Sequence, residues 1–225
     1  DKNGKESFME MQNVYRPEGH LIETDSNKAY TSSLYMLERA MKRGIILEAV
    51  AKKCDCTDMS LKIDFGFCEG IIPRSEAMIT SSGSKDIAVI SRVGKPVCFK
   101  VQSINQVGGR PVAILSRKVA QEECEKYFIS KLSAGQIIPA TVTHLDSFGA
   151  FVDIGCGIIS LICIDSISVS RIFHPSDRLR TGQRIMAVVK NRDSETGRLY
   201  MSLRELLGTW EENAAEFSPL TTVPG

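Results

Sequence analysis

Two stretches of this 225-residue chain open alike 91 positions apart, GIILEAVAKKCD from Gly44 and GQIIPATVTHLD from Gly135. A repeat of that length means that one folding unit is built twice, so the shape that suits the first copy must also suit the second. The copies align again without a gap at VGKPVCFKVQSIN (93–105) and TGQRIMAVVKNRD (181–193), each a glycine turn running into an apolar strand. Both then carry a second turn, Gly108-Gly109 or Thr196-Gly197, followed by Arg110 or Arg198 and a last strand ending in LSRK or MSLR. Each repeat reads as a string of short strands.

Within the second copy the pattern predicts strands near 136–145, 148–155, 158–164, 184–192 and 198–203, with a short helical or irregular insert between Ile164 and Gly182. Five short strands favour closure, because a closed barrel has no exposed sheet edge, and five strands with an insert after the third is the OB arrangement. The fold class expected is all-β with short linker helices: two tandem five-stranded OB barrels, at 44–118 and 135–207. Between them, residues 119–134 carry Val119, Cys124, Tyr127, Phe128 and Leu132 at helical spacing and read as a linker helix that spaces the barrels. Residues 1–43 form an extension. Its first thirty residues, polar with few branched apolars, are expected to be loosely ordered, and Thr31 to Arg43 reads as a helix capped by Thr31 or Ser32. Residues 208–225 read as a connector and the start of a third repeat, since FSPLTTVPG parallels LSAGQIIPA; with no Met at position 1, the chain reads as a piece of a longer protein.

A formal charge of +1 rules out indiscriminate polyanion binding, so any nucleic-acid affinity rests on local arrangement and stacking. Seven cysteines without a pairing pattern fit a reducing, cytoplasmic setting. No apolar run has the length of a membrane span, and residues 1–10 lack the apolar centre of a signal peptide. Cys54-Asp-Cys56 with Cys68 has neither zinc spacing nor a second pair. His20, His144 and His174 are too dispersed for a triad, and Asp146, Asp153, Asp165 and Asp193 read as turn ends and polar strand faces, not as a magnesium cluster. No catalytic motif, metal site, cofactor or small-molecule substrate is expected.

In SFGAFVDIG (147–155), alternation puts Ala150, Val152 and Ile154 on one face and Gly149, Phe151 and Asp153 on the other. Phe151 then points outward beside an acid, either onto a flat ligand or against the linker or the other barrel. Nucleobases are suitable ligands, since stacking on an aromatic is worth about 1–3 kcal/mol per base and tolerates any base. Parity alone turns Phe148 inward, unless Gly149 forms a bulge that re-aims it.

GQIIPATVTHLDSFGAFVDIG, SLICIDSI and LRTGQRIMAVVKNRDSETGRLYMSLRE together resemble the S1-type RNA-binding domain along its length. The first copy, with DFGFCEGIIPRSEAM, VGKPVCFKV and VAILSRKVA, resembles the amino-terminal domain of the bacterial ribosomal protein S1 family, in which EGIIPRSE is characteristic. The resemblance implies an RNA face of two aromatics, a histidine, an acid and an arginine. Phe148 and Phe151 match the aromatics, Asp193 the acid and Arg198 the arginine, while Cys163 stands where the histidine is usual. Outward Tyr200 is expected to share the stacking, and Lys190 to meet phosphate. In the first copy Lys62 falls opposite Phe151, Met59 opposite Phe148, Pro73 opposite Cys163 and Asn105 opposite Asp193, so only Arg110 survives. That barrel is expected to dock through protein contacts, with Lys62, Arg74 and Arg110 making at most weak RNA or docking contacts.

The function implied is a non-enzymatic, monomeric RNA-binding protein that captures single-stranded mRNA at the small ribosomal subunit; duplex RNA is expected to bind poorly because its bases are already stacked. Two rivals remain: an accessory module of an RNA-decay or transcription complex, and a protein-docking adaptor in which Phe151 anchors an interface.

Overall fold

The computed structural model describes residues 14–79 and 85–207. The expectations for residues 1–13, and for a third repeat in 208–225, lie outside the described residues.

Both repeats close into barrels. The first is built from β1 (Leu47–Cys54), β2 (Leu61–Asp64), β3 (Glu69–Ile72), β4 (Pro96–Val107) and β5 (Arg110–Ser116); the second from β6 (Ile137–Asp146), β7 (Gly149–Gly155), β8 (Ile158–Cys163), β9 (Arg184–Arg192) and β10 (Leu199–Ser202). Strand order is β1-β2-β3-β5-β4 in one and β6-β7-β8-β10-β9 in the other, with the third strand parallel to the fifth in each. Two of the bulges repeat, while a third, at Ile154 of β7, has no counterpart in the first barrel. Lys52 and Thr143 are the extra residues opposite the second strand, and Gln102 and Lys190 those opposite the fifth. A bulge bends a strand, and closing five short strands needs such bends.

The hairpins differ. β4 and β5 meet at Gly108-Gly109, both at positive φ, as a two-residue turn requires. Counting back from the equivalent residues Ile114 and Tyr200 puts Val112, not Arg110, in the place of Arg198. The first hairpin is two residues longer, which carries Arg110 out toward its tip.

The amino-terminal region is not loose from residue 14 onward. α1 (Asp25–Tyr30) and α2 (Leu34–Arg43) are separate helices, the second capped by Ser33, whose hydroxyl accepts from Met36 N, and closed by Gly44 at φ 61°. Thr31 and Ser32 instead bond back to carbonyls of the first helix, so neither caps the second. Residues 14–24 form a strap across both barrels. The Glu18 carboxylate takes a bidentate pair from Arg117 at 2.6 and 3.0 Å and accepts from Cys98 N, while Glu18 N donates to Asp153 at 2.8 Å. One oxygen of Glu48 accepts from Gly19, Leu21 and Ile22 N.

The linker helix, α3 (Arg117–Tyr127), does not hold the barrels apart. Ala120 and Cys124, with Ile46 and Cys98 of the first barrel, belong to the apolar core of the second. Gln121 donates to Cys156 O, and a Cβ on Gly157, which lies at φ 76°, would sit 1.9 Å from Arg117 Nη2. The barrels thus share a joint. Asp153, expected on a polar strand face, is only 3% exposed because it lies in this joint, accepting from Glu18, Gly155 and Gly157 N.

The joint makes stability depend on pH. Burial pushes Glu48 up to about 7 and Asp153 likewise up to about 7. Against the upward push of burial, the Arg117 guanidinium holds Glu18 below its ordinary value. Glu48 and Asp153 bind protons on folding between their unfolded values near 4 and about 7, so stability falls as pH rises through that window; the Glu18 contribution is lost below about pH 4. Thermal melting is expected to give a higher Tm at pH 5.5 than at pH 8, with a flatter profile in Glu48→Gln. A Tm that climbs from pH 5.5 to 8 would contradict this.

Candidate nucleic-acid interface

The outer face of β7 is set by the turn before it. Asp146 pairs with Gly149, leaving Ser147 and Phe148 as the two turn residues. Strand parity therefore does not apply to Phe148, and no bulge occurs at Gly149; the turn itself holds the Phe148 ring out, 50% exposed, with Phe148 O accepting from Ile164 N. A Cβ at Gly149 would lie 2.4 Å from Ile162 O, so β8 can pass this close only beside glycine. Gly149→Ala is expected to destabilise the barrel by about 1–3 kcal/mol and displace Phe148. Urea unfolding measures the loss, and a change below about 0.5 kcal/mol would show that β8 yields at no cost.

Counting outward from the turn brings His144 opposite Phe151. Their rings stack, 5.9 Å between centroids and 29° between planes, and the Phe148 ring meets Phe151 edge-on at 5.8 Å. Three rings thus form a strip along one edge of the face. Thr143, the bulge residue, donates its hydroxyl to Phe151 O at 3.1 Å and fixes the backbone beneath the strip. His144 was missed as a contributor from sequence, though hairpin counting from Ser147-Phe148 finds it. It places an imidazole on the face from β6, whereas the expected histidine position on β8 is Cys163, half-buried opposite Gly149.

Beside the strip a groove of about 230 Å³ is lined by Phe151, Ile159, Leu161, Arg198 and Tyr200. Arg198 is exposed and makes no ion pair among the described residues. Asp193 supports the turn that presents it. Its Oδ1 accepts from Glu195 and Thr196 N at 2.8 and 3.0 Å, and these bonds, the Thr196 one foremost, hold its carboxyl below the usual range. Lys190, the other bulge residue, donates to Ser166 Oγ at 2.9 Å, which ties β9 to the insert after β8. Phe148, Phe151, Arg198 and Tyr200 are therefore brought together, and Asp193 and Lys190 have structural partners beside them.

In the first barrel Lys62 and Arg110 line one groove, but Arg74 stands apart at the start of a 3₁₀ turn, paired with Asp86 at 2.6 Å. Among the described residues no group of His, Cys, Asp or Glu could hold a metal, and no helix is long and apolar enough to cross a membrane.

Residues 131–204 match the S1 RNA binding domain family. The chain is 31% identical over 180 residues to the small ribosomal subunit protein bS1 of Leuconostoc lactis, covering 78% of this chain and 40% of that protein. It is 30% identical over 197 residues to a bS1 homolog of Bacillus cereus, covering 85% of this chain and 48% of that one. The chain thus spans less than half the length of these relatives. Among solved structures, a complex of a/eIF2alpha, aDim2p and rRNA from Pyrococcus horikoshii aligns at 25% identity and a TM-score of 0.32, over 38% of this chain and 51% of that one.

Proposed function

From a chain that belongs to the S1 family and closes two five-stranded barrels, we propose that the second barrel captures single-stranded RNA. The strip of Phe148, Phe151 and His144 beside Arg198 and Tyr200 carries this reading. Exposed rings stack unpaired bases of any identity, and an unpaired guanidinium next to them meets the phosphate that follows. Sequence preference is expected to be low, because stacking on a ring tolerates any base. The names of the relatives, small ribosomal subunit protein bS1 and its homolog, support a place at the small ribosomal subunit; the single strand proposed there is mRNA, and any further barrel on the same chain would raise avidity through effective concentration. The first barrel then acts in attachment. No residue of the described chain is assigned a catalytic role.

Fluorescence anisotropy of a labelled, unstructured RNA of about a dozen nucleotides, the span of one or two OB sites, tests the reading. Saturable binding of micromolar order at low salt, weakening as salt rises, is expected. No binding at low salt, with ribosome association that survives RNase, would overturn it in favour of a protein-docking adaptor.

A further inference from the structure

The first barrel carries lysines where the second carries rings. Lys62 pairs with Ile71 as Phe151 pairs with Leu161, and Lys53 lies opposite Lys62 as His144 lies opposite Phe151. Like charges directly opposite each other on neighbouring strands are destabilising, so this pair works against the fold that holds it. Lys52, the bulge residue, adds a third ammonium on the same strand, and the longer β4–β5 hairpin brings in Arg110. All four line one groove of about 910 Å³, with Asp64 and Glu69 as the acids on its wall, and none is in an ion pair among the described residues. Among the described residues the one ring on the wall, Phe67, already stacks on Phe65 at 5.9 Å.

We propose that this groove binds the phosphodiester backbone of RNA without stacking or reading a base. Ammonium groups act on phosphate as point charges and tolerate any path of the strand. With no base to unstack, paired RNA is as acceptable as single-stranded RNA, in contrast to the aromatic face of the second barrel. The strap joins the barrels through Glu18, which bonds to Asp153, Cys98 and Arg117, so one chain can hold a structured RNA by one barrel and an unpaired strand by the other. The idea stands on the first barrel alone and survives if the second proves not to bind RNA.

The test uses the full chain, a labelled RNA duplex of about 16 base pairs, and the variant Lys53→Gln/Lys62→Gln beside Phe151→Ala. The glutamines relieve the cross-strand repulsion, so the double variant is expected to melt no lower than the parent. Its duplex affinity is expected to fall at least about fivefold, with a log–log salt slope shallower by about two. Phe151→Ala is expected to leave duplex affinity within about twofold while weakening binding to the single strand. Three results would overturn the proposal: no duplex binding at about 50 mM salt, equal binding by parent and double variant, or competition by polyglutamate as effective as that by unlabelled duplex, which would make the groove a site for acidic protein.

Discussion

Arg117→Ala is expected to cost about 3–5 kcal/mol in urea unfolding, the largest loss from any single surface-independent change in the joint. Arg117 is 3% exposed, and its guanidinium serves three groups: both oxygens of Glu18, and Ala77 O at 3.1 Å. Removing it strands a buried carboxylate whose remaining cation, Arg92, stands 3.4 Å away, and leaves Asp153 beside that carboxylate without a positive neighbour of equal reach. Because the strap spans both barrels, the loss also loosens their coupling, and a second unfolding transition is expected to separate from the first. Replacing both partners, as in Glu18→Gln/Arg117→Met, removes the stranded charge and is expected to cost less than Arg117→Ala alone. A loss below about 1 kcal/mol for Arg117→Ala would show that water reaches the joint and that the strap is peripheral.

Phe151→Ala is expected to weaken binding to unstructured RNA by about 1–3 kcal/mol, roughly 5- to 150-fold. The ring is the centre of the strip, touched by Phe148 on its edge and His144 on its face, so its removal takes away one platform and leaves the other two unsupported. The outward position makes the fold tolerant, since Phe151 is absent from the buried core. Phe148→Ala is expected to show a smaller loss, because only the turn holds that ring. Anisotropy titrations of parent and variants, with thermal melts to confirm folding, check both. Equal affinity for parent and Phe151→Ala would move the RNA site off this face.

The repeat and the five-strand pattern were readable from sequence because alternation and glycine turns are local, and because a pattern seen twice constrains itself. The joint was not. Glu18 and Arg117 are 99 residues apart, and nothing local in the polar stretch around Glu18 marks it as buried. Asp153 deceived for the same reason: parity correctly put it on the outer side of β7, but the strap and α3 cover that side at the joint. Phe151 was found by parity because it lies within a regular stretch of strand, whereas Phe148 and His144 depend on where the hairpin turns, a matter of one residue. The misplacement of Arg110 follows from an ungapped match between hairpins of unequal length. Sequence alignment carries a glycine turn onto a glycine turn, but the strand ladder fixes the true equivalents, Val112 and Arg198.

The most direct measurement is photo-crosslinking of an unstructured RNA carrying 5-iodouridine, which couples to aromatic side chains in contact with it, followed by mass-spectrometric mapping of the attached peptides. Crosslinks are expected on the peptides that hold His144, Phe148, Phe151 and Tyr200, and are expected to fade in Phe151→Ala. Crosslinks confined to rings elsewhere, such as Phe173, which is 88% exposed on the insert after β8, would contradict the account.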